Sequence, residues 1–138
     1  MSSQNNKEIV RRLYEEVMNK RNLDILKTLI SEDVTGAPGK KGVAVFEEPI
    51  RSLIKAFPDI QWQLEDLFGE GDKVVVRWEW KGTQAEPFGG FPSSGKTVVN
   101  GGMAIYRLKE GKIIDVQLQT DRLGFLQRLG VVPANLTR

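Results

Sequence analysis

The chain has 138 residues, a length that favours one domain, and its 40% hydrophobic and 28% charged residues are ordinary for a globular protein. The formal charge of +2 comes from dispersed lysines and arginines, which argues against a nucleic-acid partner. The absence of cysteine and histidine excludes disulfides, thiol nucleophiles, serine–histidine arrangements and most zinc sites. We therefore expect one domain over residues 1–138, without a metal site.

The N-terminal residues are polar and contain no apolar stretch of the kind that signal peptides carry. No segment of the chain approaches the roughly 18 apolar residues that a membrane span requires. The expectation is a cytoplasmic protein with no membrane partner.

The first part of the chain has helical periodicity. Apolar residues recur at three- and four-residue spacing from about Asn5 to Lys20, which predicts an amphipathic helix capped by Asn5 or Asn6. A second, shorter helix is predicted after Asn22, with its apolar residues running to Ile30.

The turn Gly36-Ala37-Pro38-Gly39 interrupts this pattern. A third helix is predicted over roughly residues 45–57, where Pro49 is tolerable because it lies in or near the first turn. Pro58-Asp59 ends that helix.

Beyond the third helix the apolar period changes from helical spacing to two, which predicts strands. One strand runs through Ile60, Trp62 and Leu64. A second strand places four apolar residues on one face, namely Val74, Val76, Trp78 and Trp80. Two further strands, Val98–Leu108 and Lys112–Thr120, flank the turn Lys109-Glu110-Gly111 as a hairpin. Helices followed by an antiparallel sheet indicate an α+β fold.

The segment Gly90–Thr97 matches the spacing of a phosphate-binding loop. Such a loop works at the N-terminus of a helix, whose amides cradle the phosphate, whereas a predicted strand follows here. We therefore expect no nucleotide at this segment.

The last predicted strand runs into Asp121-Arg122-Leu123-Gly124, and Gln127-Arg128-Leu129-Gly130 ends a short apolar-periodic helix. Phe57-Pro58-Asp59 closes the third helix. This combination resembles the SnoaL-like polyketide cyclase (ester cyclase) family, which belongs to the nuclear-transport-factor-two-like superfamily. The resemblance covers about residues 9–132 and is most specific in the last third.

The resemblance implies a cone-shaped barrel, in which N-terminal helices pack on a curved, mostly antiparallel sheet that encloses a pocket, and it implies a homodimer formed through the sheet. It also implies that Asp121 is the catalytic acid/base and that no cofactor is needed. In that family the base removes a proton from a carbon flanked by carbonyls, and the enolate attacks a second carbonyl in an intramolecular aldol closure.

Asp121 has a second interpretation, because an aspartate directly before a helix is a good N-cap. A cap accepts backbone N–H bonds that favour the carboxylate, whereas a base in an apolar pocket is desolvated. The two interpretations both remain open from the sequence.

Other residues are candidates for substrate binding. Gln117 and Gln119 share strand parity with Asp121, so their amides would bind carbonyl or enolate oxygens if that face meets the pocket, and would be a polar outer face if it does not. Trp62, Trp78 and Tyr14 are expected to pack in the core and to line the pocket. The amide of Asn100 is a further candidate, although the neighbouring glycines suggest a strand irregularity instead.

The chain departs from the family pattern at two places. Many members have a histidine after the second strand, where this chain has Gln84, and the aromatic residues usual before the aspartate are replaced by Gln117 and Thr120. These changes alter the pocket and put the tetracyclic ester-cyclase substrate in doubt. The leading prediction is a cofactor-independent cyclase or isomerase for a polyketide-like carbonyl compound, and the alternative is a non-catalytic protein that binds an apolar small molecule.

Overall fold

The structure is a computed structural model that describes residues 3–37, 40–133 and 135. Within these residues it contains four α-helices and six strands. The helices are α1 (Ser3–Arg12), α2 (Leu26–Leu29), α3 (Val43–Ala56) and α4 (Arg122–Leu129). The strands are β1 (Ile30–Ala37), β2 (Lys40–Lys41), β3 (Gln61–Glu70), β4 (Lys73–Thr83), β5 (Thr97–Lys109) and β6 (Lys112–Thr120). A π-helical segment, Leu13–Asn19, continues α1, and a 3₁₀ turn, Leu23–Ile25, leads into α2.

The strands form one mixed sheet in the order β2-β1-β6-β5-β4-β3. Only the β1–β6 pairing is parallel among the described strands. The helices pack on this sheet, which confirms the predicted α+β class with a mostly antiparallel sheet. The sheet is not closed, because β2 and β3 are its two edges.

The predicted strands are confirmed by their burial. Val74, Val76, Trp78 and Trp80 are all buried on one face of β4. The predicted hairpin is present as β5 and β6, with Glu110 and Gly111 at its turn. On the same inner side of the sheet, apolar residues of β5 meet the helices and complete the core.

Two details of the helices differ from the prediction. Neither Asn5 nor Asn6 caps the first helix, because α1 already begins at Ser3. The Asn6 side chain is instead buried and donates to the backbone oxygen of Gly71 at 3.5 Å. Pro49 lies in the second turn of α3 rather than the first, because α3 starts earlier, where the Glu32 carboxylate accepts the N–H of Val43 at 3.3 Å.

The strand β1 is not predicted from the sequence: Ile30 falls at the end of the second predicted helix, Gly36 and Ala37 fall in the predicted turn, and residues 31–35 have no predicted element. Its buried residues Ile30 and Val34 share strand parity, but Glu32 between them is charged and exposed, which interrupts the apolar alternation. The register of β1 against β6 shifts between Ile30 and Thr35, so no period of two is visible in the sequence. The pairing is fixed by partners distant in the chain, including Thr35, whose hydroxyl donates to Asp115 at 2.6 Å.

Gln84 organises the segment between β4 and β5. It is buried, its side chain accepts from Ser94 N–H at 3.0 Å, and it donates to the backbone oxygen of Glu86 at 3.1 Å. Thr97 then begins β5, so a strand and not a helix follows the glycine-rich motif, as predicted. The geometry that a phosphate-binding loop requires is therefore missing from this segment.

No helix in the described part of the chain combines the length and apolar character that crossing a bilayer would demand.

Candidate functional site

A cavity of about 440 Å³ lies between the inner face of the sheet and the helices. Its wall is mainly apolar and aromatic. The aromatic lining residues are Tyr14, Phe46, Trp62, Trp78, Trp80, Phe88, Tyr106 and Phe125. All three tryptophans of the protein therefore face this one space. A cavity of this size and lining can hold a small organic molecule.

One end of the cavity is formed by a cluster of aromatic rings. Trp80 and Phe125 meet with centroids 5.6 Å apart, and Phe57 packs on Trp80 at 5.1 Å. Phe88 contacts Phe125 at 5.9 Å. Ring pairs of this kind stabilise packing by about 0.5–1.5 kcal/mol each beyond their buried area. The cluster ties α4 to β4 and so fixes the position of the segment that begins with Asp121.

The structure brings four of the predicted binding residues together. Tyr14, Trp62, Trp78 and Asn100 all line the cavity and are all buried. Trp62 and Trp78 reach it from the inner faces of β3 and β4, while Tyr14 comes from the π-helical segment. Asn100 reaches it from β5.

Gln117 and Gln119 do not line the cavity. Leu108 pairs with Ile113 and Arg107 with Asp115, so β6 contains one extra residue at this point. Such a bulge reverses which side chains face inward. Ile113 is fully buried, but beyond the bulge the inner positions are the three even-numbered ones, Val116, Leu118 and Thr120. The two glutamines consequently lie on the exposed outer face, opposite Ile105 and Met103 of β5.

Asp121 is the N-cap of α4. Its Oδ1 accepts the N–H of Gly124 at 2.9 Å, and its Oδ2 lies 3.5 Å from Nη1 of Arg128. The carboxylate is 53% exposed and is not part of the cavity wall. Thr120 and Arg122, which flank it, do line the cavity. Asp121 therefore sits at the rim, with its side chain turned to the helix end.

The capping geometry explains the glycine in the Asp-Arg-Leu-Gly sequence. A Cβ on Gly124 would lie 2.1 Å from Oδ2 of Asp121 and 2.7 Å from its Cγ. Any larger residue would displace the carboxylate from its position over the helix end. The spacing of these two residues is therefore accounted for by the cap alone.

Tyr14 and Tyr106 form a buried pair inside the cavity. Their hydroxyl oxygens are 2.7 Å apart and their rings meet edge to face at 6.3 Å. Burial raises the pKa of Tyr106 to about 12. Burial, together with the neighbouring Tyr106, raises the pKa of Tyr14 well above 10.0. Both hydroxyls consequently remain protonated at neutral pH and can act as hydrogen-bond donors.

Two polar atoms in the wall have no hydrogen-bond partner among the described residues. They are Nε1 of Trp78 and Oδ1 of Asn100, and both side chains are more than nine-tenths buried. Leaving a donor or acceptor buried and unpaired typically costs about 1–3 kcal/mol. Such atoms in a cavity wall are available to a ligand.

The charged side chains that line the cavity are cationic. Lys40 and Arg122 are both exposed at its mouth, and no Asp or Glu is found among the described lining residues. The described residues also contain no cluster of three metal-ligating side chains.

Sequence reasoning missed Tyr106 as a site residue. Tyr106 shares its strand parity with Asn100, so the parity of β5 would have added it to the candidates once Asn100 was among them. Gln84, where the family pattern has histidine, lies outside the cavity wall and serves the adjoining loop. Its replacement therefore does not alter the cavity lining directly.

The sequence model of the SnoaL-like polyketide cyclase family matches residues 8–129. No curated protein sequence matches the chain. Among solved structures, a candidate polyketide cyclase from Acidithiobacillus ferrooxidans is 32% identical, with 96% of this chain and 100% of that chain aligned and a TM-score of 0.77. TsrD from Streptomyces laurentii is 23% identical, with 96% and 99% aligned and a TM-score of 0.88. A candidate SnoaL-like polyketide cyclase from Jannaschia sp. CCS1 is 25% identical, with 95% of each chain aligned and a TM-score of 0.84.

Proposed function

Since this chain belongs to the SnoaL-like polyketide cyclase family, we propose that it is a cofactor-independent cyclase or isomerase for a polyketide-like carbonyl compound. The observation that carries this proposal is the 440 Å³ aromatic cavity, which has Asp121 at its rim. Its volume lies within the range of roughly 300–1,000 Å³ that small-molecule sites occupy. Flat, largely apolar molecules with several carbonyls suit a wall of this composition.

The proposed reaction is an intramolecular aldol closure. The Asp121 carboxylate takes a proton from a carbon next to a carbonyl, and the electron pair moves onto the carbonyl oxygen as an enolate. The enolate carbon then bonds to a second carbonyl carbon, and the resulting alkoxide takes the proton back from Asp121. General base catalysis of this kind typically contributes about 10²–10⁴-fold. Holding the flexible chain in its attacking conformation supplies further acceleration.

The proposal requires the carboxylate to turn from the helix end toward the cavity. Its bond to Gly124 N–H and its contact with Arg128 are both largely exposed, so water can replace them when it turns. Thr120 and Arg122 on either side already face the cavity. We therefore expect this exposed side chain to rotate toward the cavity when the ligand binds.

The second candidate function is non-catalytic binding of an apolar small molecule in the same cavity. The specific observation in its favour is that Asp121 is engaged as a cap, while no Asp or Glu is found among the described lining residues. In both functions Trp62, Trp78, Tyr14 and Asn100 would contact the ligand. Both functions also predict that an occupant will change the tryptophan fluorescence.

Asparagine and serine variants of Asp121 separate the two functions. Either residue can still cap α4, so stability should change little, but neither can act as the base. As a probe we choose heptane-2,6-dione, which closes to an absorbing methylcyclohexenone with loss of water. The cyclase proposal expects wild-type acceleration of closure that Asp121→Asn and Asp121→Ser abolish. Equal rates in all three proteins, with binding retained, would favour the binding protein.

We further propose a homodimer formed through the outer face of the sheet. Exposed apolar residues cluster there on neighbouring strands, because Phe68 pairs with Val75 and Val75 with Ile105. Phe68 is 58%, Met103 54% and Ile105 45% exposed. Clustered apolar residues of this kind often mark an interface. Sedimentation of wild type and of Ile105→Glu tests the proposal. We expect wild type to be a dimer and Ile105→Glu to be a monomer. A monomeric wild type would refute the proposal.

A further inference from the structure

Some hydrogen-bond donors in the cavity wall have no acceptor in the protein among the described residues. Tyr14 and Tyr106 each carry one O–H group, and their single mutual hydrogen bond of 2.7 Å uses only one of the two hydrogens. Neither hydroxyl has another protein acceptor at hydrogen-bond distance among the described residues. The indole N–H of Trp78 also lacks a partner there. The wall of the cavity thus contains one O–H and one N–H that have no acceptor among the described residues.

These donors lie close together. All three side chains line the same cavity. Trp78 acts to lower the pKa of Tyr14, against the larger effect of burial, which raises it. Gly102 of β5 holds the indole in this place, because its missing side chain leaves room for the ring. A Cβ there would lie 2.6 Å from Cζ2 of Trp78. Packing therefore fixes the position of the indole in the cavity wall.

We propose that Tyr14, Tyr106 and Trp78 form a site for one oxygen of the ligand, and that this oxygen is a ketone carbonyl or the enolate derived from it. The three side chains are buried, whereas Lys40 and Arg122 at the mouth are exposed. This inference rests on the proposed function only in requiring that a carbonyl compound enters the cavity.

The chemistry of the three groups favours an accepting oxygen. A carbonyl oxygen has two lone pairs and can accept from the free O–H and from the indole N–H together. Because both tyrosine hydroxyls stay protonated at neutral pH, they act as donors and not as bases. Donors fixed in a water-poor wall stabilise the charge that develops on the oxygen as an enolate forms.

Asn100 does not belong to this site. It lies six residues before Tyr106 on the same face of β5, which is roughly 20 Å along an extended strand. Its unpaired Oδ1 would accept from a hydroxyl group at a different part of the ligand. A single oxygen cannot reach both.

The protein contains two tyrosines, and both belong to the proposed site. Tyrosine labelled with ¹³C at Cζ therefore gives resonances that report on the site alone. As probes we choose 2-tetralone and tetralin, which differ only in the carbonyl group. We expect 2-tetralone to shift both tyrosine resonances. We also expect the ¹³C carbonyl resonance of bound, labelled 2-tetralone to move downfield, as hydrogen bonding requires.

Variants test the individual donors. The preference for 2-tetralone over tetralin, taken as a ratio of dissociation constants, should fall about three- to tenfold in Trp78→Phe and in the double variant Tyr14→Phe/Tyr106→Phe, as expected for one neutral hydrogen bond. Both tyrosines are replaced together, because a single replacement would leave the other hydroxyl free to donate. Trp62→Phe is the matched control, because it also exchanges a lining indole for a phenyl ring but removes no donor of the site. Because Trp62 also lines the cavity, that variant should change the two dissociation constants by the same factor and so keep the wild-type ratio. Circular dichroism verifies that each variant is folded.

The possible outcomes separate this inference from the proposed function. If both probes bind without preference and the tyrosine resonances do not move on adding 2-tetralone, the oxygen site is refuted and the cavity remains a ligand site. If neither probe binds, both the oxygen site and the proposed function fail. If the oxygen site is confirmed but Asp121→Asn has no effect on closure, only the catalytic role of Asp121 fails.

Discussion

The buried tyrosine pair makes the stability of the protein sensitive to alkaline pH, and replacement of both tyrosines by phenylalanine should remove that sensitivity. A tyrosine that ionises at a higher pH in the folded than in the unfolded chain binds its proton more tightly in the folded state. Its contribution to stability is fully present below the unfolded pKa of 10.0 and is lost as the pH rises through the folded pKa of about 12. Tyr14 acts in the same direction, because its pKa is also raised.

The magnitude follows from the shift of Tyr106. The pKa of Tyr106 is 10.0 in the unfolded chain and about 12 in the folded protein. The free energy of unfolding therefore falls by about 1.4 kcal/mol at about pH 11, and by about 2.7 kcal/mol once the tyrosine is ionised in both states. Tyr14 adds to these values. The loss from Tyr106 alone at about pH 11 corresponds to roughly a tenfold change in the unfolding equilibrium.

The assay is urea unfolding of wild type and of the double variant Tyr14→Phe/Tyr106→Phe, measured from about pH 8 to about pH 11. The lysines titrate in both proteins, so the difference between the two curves isolates the tyrosines. We expect wild type to lose at least about 1.4 kcal/mol more than the variant over this range. Parallel curves would refute the reasoning, since they would mean that the tyrosine hydroxyls are solvated.

Three further predictions concern the framework of the site. The Cβ introduced by Gly102→Ala would lie 2.6 Å from the Trp78 ring. The variant should therefore be less stable by about 1–3 kcal/mol in thermal unfolding. It should also move Trp78 toward solvent, which red-shifts the fluorescence of that tryptophan. Gly101→Ala is the matched control, with its nearest atom at 3.5 Å, and equal losses in the two variants would contradict the prediction. Arg21→Ala should lower the free energy of unfolding in urea by about 2–3 kcal/mol. The reason is that the guanidinium of Arg21 donates to four backbone carbonyl oxygens at 2.6–3.2 Å. A decrease below about 0.5 kcal/mol would argue against those hydrogen bonds. Gln84→Ala should cost about 1–3 kcal/mol and speed proteolysis between residues 84 and 96, whereas unchanged cleavage would show that this side chain does not order the loop.

The sheet could largely be predicted from the sequence, because most of its strands have a local pattern of alternating apolar residues or an adjacent turn sequence. In β4 the alternation of Val74, Val76, Trp78 and Trp80 with charged residues predicted the buried face correctly. The hairpin of β5 and β6 carries its own turn signal at Gly111. The strand β1 could not be predicted, because its pairing with β6 is parallel, irregular and made with residues far away in the chain.

The lining of the cavity was predicted in part, and the reason that the rest was not lies in β6. In an uninterrupted strand, the buried Ile113 would place Gln117, Gln119 and Asp121 on the inner side. The single extra residue at the bulge reverses this parity, so a pattern with a period of two could not reveal which side the glutamines face. By contrast, Trp62 and Trp78 lie on faces that the alternation identified.

The central claim is that Asp121 removes a proton from a carbonyl compound held in the cavity. Deuterium exchange at C1 of 2-tetralone in D₂O tests this claim directly. The exchange is followed by ¹H NMR with wild type and with Asp121→Asn. Exchange isolates the proton-removal step and does not depend on knowing the natural substrate. The account predicts that wild type accelerates exchange and that Asp121→Asn loses about 10²–10⁴-fold of that acceleration while binding 2-tetralone equally well. Equal exchange rates in the two proteins would contradict it and would leave the cavity as a binding site alone.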